Sequence, residues 1–546
     1  MSQITIPQAI ELAVNHHQAG RLHEAEIIYR QILAQEPTHP DALHLLGVLA
    51  MQVGQHEPAM GLIRQAIAIN GSVADYHCNL GYALAAVGQT RAAIESYRRA
   101  LAIRPNFAQA SNNLGNALRG AGELDESIAV LRQSLKVQSD NPEALNSLGC
   151  SLRASGRTDE SIAAFEKALS LRPQYAEAHN NLGNALREKD QPEPAIEHFR
   201  QALAIRPEFS EVLNNLAGAL EEQGKFEPAI ETYRQAARVN PELVTAHVNL
   251  GIALLRQGNF GEGWREYAWR WHKPGREQPI WDGQPLDGKR LLIYAEQGLG
   301  DSIQFIRYMP LAAERGARII LQIPKELNRL LKDIPNVANV ILDTETVPEV
   351  DFHCPLLNLP LVMGTSMDTI PANVPYVKAE DELSSRWRER LQPFKNSFKV
   401  GLTWQGRKEY TNDRRRSLSP GVLEPLFKLA GLTFFSLQKG AQRQPQGLVQ
   451  QLSMIDWSDE FHDLADTAAL VNHLDLVISV DTAMAHLAGA MGKRVWTLLP
   501  FVPDWRWLLD RSDSPWYPTM RLFRQPRVGD WPAVIERVIS ELKCLI

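Results

Sequence analysis

Residues 106–139 read NFAQASNNLGNALRGAGELDESIAVLRQSLKVQS, and residues 140–173 read DNPEALNSLGCSLRASGRTDESIAAFEKALSLRP. Laid one on the other, 34 residues apart, they put leucine on leucine, glycine on glycine and serine on serine. Working outward, the same period governs the first half of the chain. Gly20, Gly54, Gly88, Gly122, Gly156, Gly224 and Gly258 form one row, with Asp190 at the missing step. Gly47, Gly81, Gly115, Gly149, Gly183 and Gly251 form a second, with Ala217 as the exception. Pro37, Pro105, Pro173, Pro207 and Pro241 make a third; Ala25, Ala59, Ala93, Ser127, Ser161, Ala195 and Ala229 make a fourth. Four rows in phase at one period mark a repeat architecture.

Each row has a physical role in a pair of helices. The Gly54 row stands where one helix must stop and turn, which needs an unhindered backbone. The small row lets the second helix approach the first. The proline row ends the second helix, because proline cannot continue one. Tyr29, Ile63, Tyr97, Leu131, Phe165, Phe199 and Tyr233 are expected to fill the space between stacked pairs. The pattern resembles the tetratricopeptide repeat, with seven full repeats over about residues 6–243 and a degraded eighth from 244 to about 273. Such arrays are quasi-one-dimensional superhelices with a concave face.

Asn79, Asn113, Asn181, Asn215 and Asn249 share one repeat position, and Asn112, Asn146, Asn180 and Asn214 the position before it. Asparagine has poor helix propensity, so a row of it has a local cost. One reading is a ladder of amides that pairs with the backbone of an extended peptide, since an amide both donates and accepts. The other is a bridge between neighbouring repeats. One row can serve each purpose.

The chain has 546 residues, too many for one ordinary core and enough for about three to five units. Lys and Arg number 57 against 63 Asp and Glu, a net charge of −6 that disfavours nonspecific nucleic-acid binding. Cys78, Cys150, Cys354 and Cys544 are scattered, which argues against a disulfide framework or a cysteine-built zinc site. The N-terminal residues carry no signal-peptide pattern and no apolar run approaches a membrane span, so a cytoplasmic protein is expected.

After Trp264 the period stops, and a Trp-rich junction containing Trp269, Trp271 and Trp281 follows. The pattern then becomes strand, glycine turn, helix. LLIYAE (291–296) is a buried strand, QGLGD (297–301) a turn, residues 302–316 a helix and 317–324 the next strand. Residues 381–392 read as a connecting helix. Further strands are expected at 399–404, 433–438, 475–480 and 494–499, with helices near 420–430, at 463–474, at 482–492 and at about 530–543. This alternation implies βαβ units in doubly wound sheets. The expected fold is an α-solenoid followed by two Rossmann-like α/β lobes, with boundaries at 1–273, 274–390 and 391–546 and a cleft between the carboxyl ends of both sheets.

GLGDSIQF (298–305), GLTWQG with NDRRRSL (401–418) and SVDTAMAHLAGAMG (479–492) together resemble the heptosyltransferase-like glycosyltransferases. The resemblance implies the GT-B fold and inverting transfer from a nucleotide-activated sugar. Repeats fused to such a half also resemble the architecture of O-linked N-acetylglucosamine transferase. That implies UDP-N-acetylglucosamine as donor and a protein or peptide acceptor in the repeat groove, where Asn79, Asn113, Asn181, Asn215 and Asn249 would touch it. No Asp-x-Asp pair occurs in these motifs, consistent with metal-independent transfer and no cofactor beyond the nucleotide sugar.

The leaving diphosphate develops negative charge, which a helix N-terminus, a basic residue or a metal can stabilise. The strand ending at Val480 and the helix after it provide an N-terminus. By resemblance Asp481, Thr482 and His486 contact the donor; the plainer alternative is an N-cap and a packed histidine. Arg416 aligns with the family's basic residue facing the diphosphate, often a lysine, and Lys439 is a second cation. Asp301 corresponds to the proposed general base, Glu296 is its competitor, and helix capping is the plainer role for Asp301. Trp505 and Trp507 are expected to pack the lobe interface. Two other readings stay open: a repeat scaffold whose transferase half only binds, and a transferase acting on a glycan or lipid precursor.

Overall fold

The structure is a computed structural model that describes residues 5–271, 277–406, 413–439 and 454–546. It contains two compact units, one ending at Ala219 and one from Leu220 to Ile546.

The first unit is built of helix pairs. A representative pair is Ala74–Ala86 and Thr90–Ile103. Gly88 joins them with φ of 78°, a left-handed turn that costs an L side chain about 1–2 kcal/mol. Every member of that glycine row has positive φ, and Asp190 adopts it too, at 55°. The second glycine row has a different cause. A Cβ on Gly81 would lie 2.6 Å from the Tyr97 ring, and one on Gly149 2.5 Å from Phe165. The aromatic row therefore fits against the glycine row inside each pair. This corrects the expectation that those side chains fill the space between pairs. At Gly81 and Gly149 the ring lies where a Cβ would be.

The second unit opens with the last helices of the array: Phe226–Val239, Val244–Arg256 and the shortened Phe260–Tyr267. Leu255, Phe260, Trp264 and Tyr267 are buried in the same apolar cluster as Phe305, Trp505 and Trp516. The Trp264 indole N–H donates to the Thr365 carbonyl (3.1 Å), and Arg256 Nε to that of Pro503 (2.9 Å). The described tryptophans of the junction are packed: Trp281 is fully buried and Trp269 stacks on His247.

Two all-parallel sheets follow. The first has the order β3-β2-β1-β4, from β1 (Arg290–Tyr294), β2 (Arg318–Ile323), β3 (Asn339–Leu342) and β4 (Phe352–Pro355). The second has the order β10-β9-β8-β5-β6-β7. Its strands are β5 (Phe398–Thr403), β6 (Leu432–Ser436), β7 (Ile455–Asp456), β8 (Leu476–Val480), β9 (Val495–Leu499) and β10 (Met520–Arg524). Parallel strands buried on both faces read as continuous apolar runs, and β8 and β9 are buried at every position.

Two expected helices differ. The one expected at 302–316 begins at Leu299 and is interrupted by a tight turn at Ile306–Tyr308 before Met309–Glu314. Residues Pro420–Lys428 form 3-10 turns with Pro425 inside, because proline removes a backbone donor and clashes with the preceding turn. Among the described residues, no helix is long and apolar enough to cross a membrane.

Candidate active site

The turn after β1 places the first carboxylates. Gly298 caps the helix Leu299–Phe305, and Asp301 lies within its first turn. The Gly298 N–H donates to Asp301 Oδ2 (2.9 Å), so the carboxylate caps the helix from inside. Asp301 Oδ1 accepts from Arg506, which comes from the second lobe. Burial pushes the Asp301 carboxyl above the ordinary aspartate range, with the Arg506 charge opposing the rise. Glu296, at the end of β1, accepts from Arg270 (3.2 Å) and from the Leu357 N–H (3.3 Å) with Oε1. Its Oε2 is buried with no hydrogen-bond partner, and burial raises its pKa as well.

The second lobe supplies the facing helix terminus. Thr482 caps the helix Ala483–Ala490, its Oγ1 accepting from the Met484 N–H (3.3 Å). Burial pushes Asp481 up to about 6, and the nearby Asp504 carboxylate adds to the rise. His486 is buried, with Nδ1 3.0 Å from the Tyr517 hydroxyl and its ring stacked on Trp507 at 5.3 Å. Its Nε2 is 4.0 Å from Asp481 Oδ1. Burial and the charges of Arg506, Arg307 and Arg416 hold this imidazole far below its ordinary pKa, so it is neutral. A Cβ on Gly300 would lie 2.8 Å from His486 Cδ2 and 3.3 Å from Ala483 Cα. The GLGD turn of one lobe therefore rests directly on the DT…H helix of the other, and only glycine permits that approach.

Arg416 stands beside this contact. Its Nη1 donates to the Asp481 carbonyl (2.9 Å) and its Nε to Asp413 Oδ1 (3.1 Å). The Gly406 N–H donates to Ser417 Oγ (3.0 Å), which donates to Asp413 Oδ2 (2.9 Å). A Cβ on Gly406 would lie 2.1 Å from Asp413 Oδ1, so this glycine admits the Asp413–Arg416 pair. Asn412, quoted with that motif, lies outside the described residues.

The structure thus brings Asp301, Arg416, Asp481, Thr482 and His486 to one place, with Glu296 on the adjoining strand end. Lys439 is exposed beyond β6 and donates to the His462 carbonyl (3.1 Å). Trp505 and Trp507 are buried packing residues, as expected. Between them stands a residue that the sequence reading passed over. Arg506 is buried and reaches Asp301, Asp504 and Gln304. The available signal was charge alternating with tryptophan in Asp504-Trp505-Arg506-Trp507. Arg270 was missed too; it holds Asn358 (2.7 Å) as well as Glu296.

In the first unit, Asn181 Nδ2 donates to Asn146 Oδ1 and Asn215 Nδ2 to Asn180 Oδ1, both at 2.9 Å. Asn79 meets His44 Nε2 (2.8 Å), and Asn113 the Cys78 thiol. Asn249 lies on Val244–Arg256 in the second unit. One asparagine row is therefore bonded back to the preceding repeat. Both rows also contribute to a cavity of about 560 Å³, lined by Asn112, Asn146, Asn180 and Asn181 among others.

Comparison with known proteins agrees with both halves. The tetratricopeptide repeat families match residues 16–78, 84–122, 106–174, 144–208 and 219–258. Glycosyltransferase family 9 (heptosyltransferase) matches residues 462–500, which include β8 and the Asp481–His486 helix. The chain thus carries tetratricopeptide-repeat matches through its first half and a glycosyltransferase family 9 match in its second. Protein FlbA of Caulobacter vibrioides is 28% identical over 314 residues, 52% of this chain and 52% of its own length; the chain thus spans about half of that curated relative. Among solved structures, the anaphase-promoting-complex hetero-tetramer Cut9–Hcn1 is 19% identical, covering 44% of this chain and 48% of that one, with a TM-score of 0.40. A tetratricopeptide repeat protein from Parabacteroides merdae is 15% identical, covering 46% and 98%, also at 0.40.

Proposed function

We propose that the α/β half is an inverting, metal-independent glycosyltransferase, taking a sugar from a nucleoside diphosphate, UDP-N-acetylglucosamine by preference, to a protein hydroxyl. The repeats engage the protein acceptor. The observation that carries this reading is the seating of the GLGD turn on the Asp481–His486 helix, which sets a partly exposed carboxylate beside a capped helix terminus and an arginine.

In this reading Asp301 takes the proton of the acceptor hydroxyl as its oxygen attacks the anomeric carbon. The bond from that carbon to the diphosphate oxygen breaks on the opposite face, so the configuration inverts. The departing charge is met by Arg416 and by the N–H groups of the helix that begins at Ala483. Asp481 and the neutral His486 brace that terminus. The raised Asp301 pKa makes the carboxylate a stronger base than a solvated aspartate.

The test is a thermal-stability screen with UDP, GDP, ADP and CMP, each with and without Mg²⁺. A ligand at 100 times its Kd stabilises the unit that binds it by about 2.7 kcal/mol. One nucleoside diphosphate should raise the melting temperature without metal, and Arg416→Ala should abolish the shift. Asp301→Ala should retain nucleotide binding and lose transfer by roughly 10²-fold or more. No shift with any nucleotide would favour the binding-only scaffold. Sugar found on a glycan or lipid but on no co-expressed protein would overturn the protein acceptor.

A further inference from the structure

The second lobe buries a guanidinium whose main occupation is a carboxylate of the first. We infer that Arg506 is a positioning residue for Asp301, fixing the direction and the charge of that carboxylate, with Asp504 in turn fixing Arg506. This rests on the reading of Asp301 as the base.

The geometry leaves Arg506 little freedom. Nη2 donates to Asp301 Oδ1, Nη1 to Asp504 Oδ1 (2.8 Å) and Nε to Gln304 Oε1 (2.6 Å). Its guanidinium carbon sits 4.3 Å from the Trp505 ring centroid and 5.7 Å from that of Phe305. Three donors face three oxygens, and two rings fix the plane. Each of the three guanidinium nitrogens is thus held by a protein oxygen, which engages three of its five N–H groups. Asp301 in turn has one donor on each oxygen, Arg506 on Oδ1 and the Gly298 N–H on Oδ2. Each oxygen retains capacity to accept, so a hydroxyl can be taken up without breaking either bond.

An arrangement of this kind is a poor stabiliser. Burying an ion pair costs desolvation that its attraction does not reliably recover, and an apolar replacement of equal volume is often as stable. What the pair does provide is orientation.

The charged and titratable groups around Asp301 set the sign of its response. Arg506 from the second lobe and Arg270 from the Ala268–Trp271 turn favour the carboxylate. Asp504 and Glu296 oppose it, and Tyr267 is near. His486, across Gly300, is neutral. Removing the Arg506 charge therefore raises the Asp301 pKa further, whereas removing the Asp504 charge lowers it.

The experiment measures kcat and KM against pH for the full chain and for Arg506→Gln, Arg506→Lys and Asp504→Asn, with nucleoside diphosphate affinity alongside. Arg506→Gln should lower kcat by roughly 10²-fold at neutral pH and move the acid limb of the profile upward. Nucleoside diphosphate affinity should stay within about twofold, an effect below 0.5 kcal/mol. Arg506→Lys should move the limb back toward wild type. Asp504→Asn should move it the other way, downward. If Arg506→Gln fails to fold, the lysine and Asp504 variants carry the test.

Loss of rate with an unmoved limb in all three would reduce Arg506 to packing. A fall in nucleotide affinity proportional to the fall in rate would make Arg506 a donor contact; either result overturns the inference alone. A wild-type protein that turns over no sugar nucleotide, or an Asp301→Ala variant that retains turnover, overturns the function reading and this inference with it.

Discussion

Asp481 shows how one buried carboxylate marks a site. Its folded pKa of about 6 lies above the value of roughly 3.9 for a free aspartate. Between those values the folded protein holds a proton that the unfolded chain has released. Stability therefore falls as pH rises from about 4 to about 6 and stays lowered above that. Asp481→Asn should flatten that part of the dependence and raise the melting temperature at pH 7.5, while weakening nucleotide-dependent stabilisation. His44 behaves in the opposite sense. Burial pushes it down to about 4, so stability is lost as pH falls from roughly 6.5 toward 4. Its Nε2 meets Asn79 Nδ2, the place that Asn146 Oδ1 takes for Asn181 in a later repeat. His44→Asn should keep the link and remove this acid sensitivity from thermal melts between pH 4 and 6.5.

At the scale of elements, the glycine rows were legible by position and only half legible by cause. A turn glycine declares itself through its place after a helical run, and the positive φ values bear this out down to Asp190. The second row could not reveal its mate, because a gap of 16 residues between Gly81 and Tyr97 becomes a contact only when the two helices fold together. Gly149→Ala would drive a methyl group into the buried Phe165 ring. It should cost about 1–3 kcal/mol in chemical unfolding, the range for overpacked cores. The strands β1, β2, β5, β6, β8 and β9 were read from apolar runs, whereas β3, β4, β7 and β10 were not. The two-residue β7 has too little sequence to show a pattern, and β10 adjoins an aromatic stretch whose composition hides its period.

For the whole molecule, the order of parts was readable and the chemistry of the site was readable in pieces. Asp301, Arg416, Asp481, Thr482 and His486 each sat in a motif. Arg506 and Arg270 did not, because the role of each depends on the carboxylate it meets, which lies 205 residues away for Arg506 and 26 for Arg270. The end of the array is also more than a spacer. Leu255, Phe260, Trp264 and Tyr267 belong to the core of the second unit. A fragment of residues 207–546 should therefore melt cooperatively. One of residues 274–546 should aggregate or bind a hydrophobic dye, since it bares the faces of Trp505 and Thr365 that Trp264 covers.

That shared core makes the repeat array a ruler whose zero mark cannot be moved. Whole periods of 34 residues can be gained or lost upstream of Ala219, where each pair answers only to its neighbours. Loss of the helices Val244–Arg256 and Phe260–Tyr267 would take Arg256 and Trp264 away from Pro503 and Thr365 and bare the core of the second unit. Array length is thus free to vary at one end only.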